Sequence, residues 1–237
     1  MAQCNYPVLG TFNTVGIFLA DDCGAPVPGD DKGWIDRCPG AFTYEPVITT
    51  AVEDFTRTCA DGNRLTTVPG YDSLDGYDIQ LDLHNVDPAF WSSVAGATPV
   101  VEGGETVGWD MCQYGYGSAS IFLWRTIIKP LDPTGCEPDA AFDSMVTIFP
   151  WVYQIQIREE GQFGSQDSFM RLTGRSRTGH KFGKGPYPLI KGAGSNPDTC
   201  LSQAISPDCT LRQVISDVFP RECGFVDVTP CTTTPPA

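Results

Sequence analysis

Only two histidines occur in the chain, His84 and His180, and their scarcity limits the chemistry open to it. A Ser–His–Asp or Cys–His site needs one of them as its base. His84 closes an alternating polar–apolar stretch and reads as a turn or core residue. His180 sits in Thr178–Tyr187 (TGHKFGKGPY), which has the look of a phosphate-binding loop. No Ser or Thr follows its Gly183-Lys184 pair and no helix follows the segment, so a glycine-rich turn is the expectation. Gly115–Ser120 (GYGSAS) places Gly where a nucleophile elbow needs Ser. Neither a zinc-protease HExxH nor an EF-hand loop is present. The acid pairs Asp21/Asp22, Asp30/Asp31, Glu53/Asp54 and Glu159/Glu160 have the chemistry to hold calcium or cleave a glycoside. All sit near turns and read as solvated loop charge. No catalytic residue, metal or cofactor is expected.

The ten cysteines have irregular gaps and form no CxxC pair, which gives a zinc cluster little support. Two states remain open: reduced buried thiols, or disulfides formed after synthesis. The last four, Cys200, Cys209, Cys223 and Cys231, lie in a Pro/Thr-rich segment where core burial is least expected, and bridges belong there if anywhere. The N-terminal MAQCNYPVLG lacks the basic and apolar runs of a signal peptide, and no apolar run approaches a membrane span. Cytoplasmic synthesis and no membrane partner are the expectation.

Charge offers a different kind of candidate. The net charge of −14 argues against gripping nucleic acid through a global positive field. The charge is split unevenly. Residues 1–118 hold 17 acids and 4 bases, whereas residues 119–237 hold 12 acids and 11 bases. No acid falls between Ser168 and Pro197, and that stretch holds Arg171, Arg175, Arg177, Lys181, Lys184 and Lys191. These bases are interface candidates. Their expected partners on another copy are the acidic turns around Asp30 and Asp31 or Glu53 and Asp54.

The elements that must position these groups read as mostly β. Asp78–Leu83 and Tyr153–Arg158 alternate strictly between polar and apolar residues, as half-buried strands do. Val15–Ala20, Ala119–Trp124 and Ser144–Phe149 are short apolar or β-branched runs, and Ser168–Thr173 is a further strand candidate. Asp61-Gly62, Asp75-Gly76, Gly103-Gly104 and Glu160-Gly161 are read as turns. The spacing predicts a short helix opened by Asp87 as N-cap and Pro88, and ended by Gly96. Leu211, Val214, Ile215 and Val218 suggest a second helix over Asp208–Asp217. The stretch 129–141 is the best candidate for an insertion. The fold class expected is mainly β, an antiparallel sandwich or barrel with a flanking short helix and long loops. Two parts are expected: a β domain over 1–194, and a Cys/Pro/Thr-rich extension over 195–237 packing on it.

Three segments in order carry a family resemblance. The first is Asp75–Leu83 (DGYDIQLDL) running into Val86-Asp87-Pro88-Ala89-Phe90 and Gly96. The second is Val107-Gly108-Trp109 followed by Ala119–Trp124. The third is Thr178–Tyr187, with Cys23-Gly24-Ala25-Pro26 as an upstream turn. Together they span about residues 20–190, and the chain in this order resembles the major tail, or tail tube, proteins of siphophages that infect actinobacteria. The C-terminal segment 195–237 has no counterpart in the resemblance.

The resemblance implies a subunit that forms rings, hexameric in the family, which stack into a tube whose bore passes DNA during ejection without binding it specifically. It implies a virion location and contacts with other copies and with tape measure, terminator and distal tail proteins. Asp78 and Asp82 share a strand face by alternation and are the lumen candidates for an acidic bore. Two other readings fit the composition: a capsid-decoration or minor tail protein, and a secreted disulfide-stabilised hydrolase or binding module.

Overall fold

Two kinds of apolar pattern produce two kinds of strand, and the sheet is built by joining them. The computed structural model describes residues 8–37, 39–52, 55–58, 64–68, 71–84, 87–110, 117–128, 144–160, 169–190, 198–216, 218–220 and 223–229. The strands are β1 (Val8–Leu19), β2 (Gly29–Asp36), β3 (Phe42–Val52), β4 (Phe55–Thr58), β5 (Arg64–Val68) and β6 (Tyr71–Leu83). After helix α1 (Pro88–Ala95) come β7 (Thr98–Glu102), β8 (Glu105–Asp110), β9 (Gly117–Ile128), β10 (Ser144–Glu160), β11 (Phe169–Ser176), β12 (Arg212–Ser216) and β13 (Gly224–Val228). The main sheet runs β13-β2-β1-β9-β10-β11-β6-β3, with β12 on β10, and every pairing is antiparallel. The chain is mainly β and sandwich-like. The barrel alternative is not realised, because β13 and β3 end the strand order without pairing to each other.

The apolar runs belong to strands covered on both faces. On β1, Ile17 faces one core cluster and Phe18 the other; on β9, Ile121 and Leu123 face the first, and Phe122 and Trp124 the second. The first cluster takes in α1 through Phe90, Trp91, Val94 and Ala95. The second is closed by Phe182, Leu189, Leu201, Ile205 and Val228. Phe122 lies 6.0 Å from the Phe182 ring, and Tyr187 packs 5.4 Å from Phe18 and 5.7 Å from Trp124. The glycine-rich segment after β11 therefore serves as a lid on a sheet face. Its glycines Gly179, Gly183 and Gly185 all have positive φ.

The helix is formed by its caps. Asp87 Oδ1 accepts from the backbone N–H groups of Ala89 at 2.8 Å and Phe90 at 3.2 Å. Gly96 ends it at φ 63°, with Gly96 N–H donating to Ser93 O and Ala97 N–H to Ser92 O, the paired bonds of a Schellman end. Its backbone lies directly on β9: a Cβ at Gly117 would stand 1.4 Å from the Val94 carbonyl oxygen.

Two readings of the sequence are corrected. The segment expected as a second helix over Asp208–Asp217 contains strand β12. Its ladder with β10, from Ser144↔Ser216 to Ile148↔Arg212, overrides the helical spacing of Leu211, Val214 and Ile215. Asp75-Gly76 is a bulge rather than a turn. Val47 pairs with Gly76 and Ile48 with Leu74, leaving Asp75 as the extra residue in β6. Gly103-Gly104 does form the β7–β8 turn, with φ of 63° and 91°, as a tight hairpin requires. Asp61-Gly62, Gly161 and the stretch 129–141 lie outside the described residues.

Candidate functional site

Where β6 and β11 alternate, one face joins the core and the other is open. Ile79, Leu81, Leu83 and Leu172 point inward. Asp78, Gln80 and Asp82 therefore share the outer face, as the alternation predicts, and the register sets Arg175, Thr173 and Arg171 opposite them. On the flanking strands, Glu45 and Thr43 of β3 oppose Asp78 and Gln80, while Gln156 and Arg158 of β10 oppose Thr173 and Arg171. The result is an open polar groove of about 490 Å³ lined by Thr43, Glu45, Gln80, Gln154, Thr173 and Arg175 among others. Gln154 reaches it from a β10 irregularity between Tyr153 and Gln156, where its own φ is 54°.

The charges in this groove come as pairs. Arg175 donates through Nε to Asp78 Oδ1 at 2.6 Å and through a terminal nitrogen to Oδ2 at 3.1 Å. Arg171 grips Asp82 in the same two-pronged way, at 2.7 and 3.1 Å. The fork geometry matches guanidinium to carboxylate. The Asp78 carboxylate raises the Arg175 pKa above its ordinary value, first by the hydrogen bond and then by charge. The Arg175–Asp78 pair is about half exposed, with side-chain exposures of 45% and 55%, and the Arg171–Asp82 pair is more enclosed, at 24% and 11%. Beside them, Arg177 lies over the rings of Tyr153 at 5.0 Å and Trp151 at 5.6 Å.

These contacts alter two expectations. Asp78 and Asp82 do share a face, but neither is a bare acid. Arg171 and Arg175, expected to meet another copy, are held by acids of their own chain, Asp82 and Asp78, four residues apart on β6. The cross-strand register that joins them is invisible in sequence. Lys181 is exposed and its N–H donates to Cys23 O at 2.9 Å, so its loop rests on the Asp21–Cys23 turn of the same chain. Lys184 lines a second opening of about 580 Å³ with Asp198, Cys200 and Asp227. Asp30 and Asp31 are exposed at the start of β2, and Asp31 N–H donates to Asp227 Oδ1 at 3.2 Å. Glu53 and Asp54 lie outside the described residues.

Around the C-G-x-P turn, two of the resemblance segments meet, with Trp151 against both. Gly24 has φ 72°, and a Cβ there would fall 2.7 Å from the Trp151 ring and 2.8 Å from His180 Cβ. His180 is buried and donates through Nε2 to Cys209 O at 2.9 Å, which fixes the neutral tautomer and leaves Nδ1 facing Phe182 N–H at 3.4 Å. Burial lowers its pKa. His84 is exposed, with its ring 6.3 Å from that of Phe169. Cys200 is disulfide-bonded, in the segment where a bridge was expected, and Cys23, Cys209 and Cys223 are free thiols. Among the described residues, no three His, Cys, Asp or Glu side chains are grouped to hold a metal. No described helix is long and apolar enough to cross a membrane.

Sequence reasoning missed a second surface altogether. β11 pairs with β6 only over Asp78–Leu83, whereas β3 pairs with β6 as far as Val52↔Tyr71. The far half of the β3–β6 hairpin thus runs on past the sheet. Ile48 and Leu74 are cross-strand partners there, 60% and 46% exposed. The bulged Asp75 braces this stretch: its carboxylate accepts from Thr49 Oγ1 and, at 3.2 Å, from Ser73 Oγ. A second hairpin, β7–β8, exposes Val101 and Val107 at 58% and 53%. Isolated exposed aliphatics are ordinary; the pairing of Ile48 with Leu74 across the strands is what a register would have been needed to find. No protein-family model and no curated protein matches the chain.

Proposed function

We propose that this chain is a structural virion protein, a tail tube subunit that polymerises as stacked rings around a channel for DNA. The observation that carries this reading is the β3–β6 hairpin. It extends beyond the sheet, presents Ile48 and Leu74 side by side, and ends the strand order at β3, whose outer edge pairs with no described strand. An unpaired edge of this length invites strand addition. A copy that offers one surface and receives on another builds a ring, or a filament where rotation does not close. The β13 edge at the other end of the sheet supplies a second surface of that kind.

The resemblance of the DGYDIQLDL, VDPAF and TGHKFGKGPY segments to tail tube proteins supports the same reading. On it, the polar groove face lines the bore. In its rows from β3 to β10, Glu45, Asp78 and Asp82 are matched by Arg158, Arg171 and Arg175, so the bore there is charge-paired rather than acidic. The function is mechanical: no reacting group is assigned, and the partners are other copies and neighbouring tail proteins. The Cys200 disulfide favours one competing reading, a secreted disulfide-stabilised binding module.

Negative-stain electron microscopy of concentrated protein separates the two. Hollow tubes or stacked rings are expected from the wild-type chain. Ile48→Lys with Leu74→Lys should leave the circular dichroism spectrum unchanged and abolish them. Tubes of unaltered length from the double variant would overturn the role of the hairpin, and a monodisperse wild-type monomer at all concentrations would favour the secreted module.

A further inference from the structure

The groove face contains cations that ought to attract phosphate, in a chain proposed to let DNA slide past. Arg175 and Arg177 flank Tyr153, one opposite it in the ladder and one over its ring. Two guanidiniums on one face suit the phosphates of a nucleic-acid backbone. Arg177 has no carboxylate partner among the described residues. Arg175 differs: its Nε and one terminal nitrogen are both engaged by Asp78.

We propose that Asp78 is a mask, holding Arg175 out of reach of nucleic-acid phosphate, and that without it this face becomes a binding site for a polyanion. The identity of the polyanion as duplex DNA rests on the tail tube reading; the masking itself does not. The geometry gives the reason. The two-pronged pair occupies the Nε side of the guanidinium and cancels the local charge that would draw a phosphate to its remaining N–H groups. Glu45 stands across the ladder from Asp78 on its other side and adds repulsion toward an anion. Asp82 does the same for Arg171, but that pair is mostly enclosed, so the exposed Arg175–Asp78 pair is where an approaching phosphate would be met first.

The test uses the full chain, unassembled and dilute, with a fluorescently labelled 20-base-pair duplex and polarisation as the readout. In low salt, Asp78→Asn should bind the duplex about tenfold more tightly than wild type, with one more released counterion in the salt dependence, a slope steeper by about 0.9. Asp78→Asn with Arg175→Gln should return to the wild-type value. Glu45→Gln, which removes one negative charge from the same face but frees no arginine, should tighten binding less than Asp78→Asn. Asp78→Ser takes the place of Asp78→Asn should that variant fold poorly. Two results overturn the proposal: Asp78→Asn binding no more tightly than wild type, or Glu45→Gln tightening binding as much as Asp78→Asn. Neither depends on tube formation, so failure of the mask and failure of the tube reading show up in separate experiments.

Discussion

The central strands β1 and β9 and the outer strands β6 and β11 use the same backbone and opposite rules for their side chains. On β9 consecutive residues are all buried: Ile121, Phe122, Leu123 and Trp124 are at most 1% exposed. On β6 burial alternates, with Ile79 and Leu81 in the core and Asp78 and Gln80 on the groove. The difference lies in what covers each strand. The lid segment Phe182–Leu189 and the C-terminal residues Leu201, Ile205 and Val228 close the second face over β1, β9 and the start of β10. Nothing described covers it over β6 and β11. A protein that builds one half of its sheet as a two-sided core and leaves the other half one-sided has a stable body and a free working surface in a single layer.

That contrast can be tested by neighbouring substitutions. On β9, Phe122→Ala and Leu123→Ala should each destabilise the fold, by about 3–5 and 2–5 kcal/mol, because each removes a fully buried side chain. On β6, Leu81→Ala should cost a similar 2–5 kcal/mol and Gln80→Ala under about 0.5 kcal/mol. Urea unfolding of the four variants reads the result; equal costs at positions 80 and 81 would break the comparison. A smaller effect is expected where the helix meets the two-sided half. Gly117→Ala drives a Cβ into the Val94 carbonyl and should cost about 1–3 kcal/mol, seen as a lower urea midpoint. Next in size, Asp87→Ala removes the N-cap acceptor and should cost about 1 kcal/mol, read by the same unfolding curve.

The smallest effect concerns pH. His180 belongs to the lid, and burial lowers its pKa below 6.5, so the unfolded chain takes up a proton more readily than the folded one. Its contribution to stability is complete above about pH 6.5 and is lost as the pH falls through the lowered value. Thermal melts between pH 7.5 and pH 5 should therefore decline, and His180→Gln should flatten that decline. An unchanged slope in the variant would place the pH sensitivity elsewhere.

Much of the fold was legible in the residues. The alternating DIQLDL and QIQIR stretches and the apolar IFLW run announced one-sided and two-sided strands, since period and coverage are linked. Asp87, Pro88 and Gly96 announced the helix, because capping acts within a few residues. The second helix failed for the opposite reason. The spacing of Leu211, Val214 and Ile215 suits a helix, but the free side of β10 needed a strand, and only the folded chain holds that information. The bulge at Asp75-Gly76 was misread because a turn and a bulge use the same residues.

The candidate site divides along the same line. Sequence alone determined that Asp78 and Asp82 share a face, that the bases cluster after residue 168, and that neither histidine sits in a recognisable catalytic pattern. All of these are local. Only the tertiary structure decided that Arg171 and Arg175 belong to those two aspartates, that His180 is a buried lid residue bonded to Cys209, and that Ile48 stands beside Leu74. Each is a contact between residues at least 26 positions apart, set by strand register or by how one segment lies over another. Cross-strand register is fixed by the burial of a whole face at once, so no window of the sequence contains it.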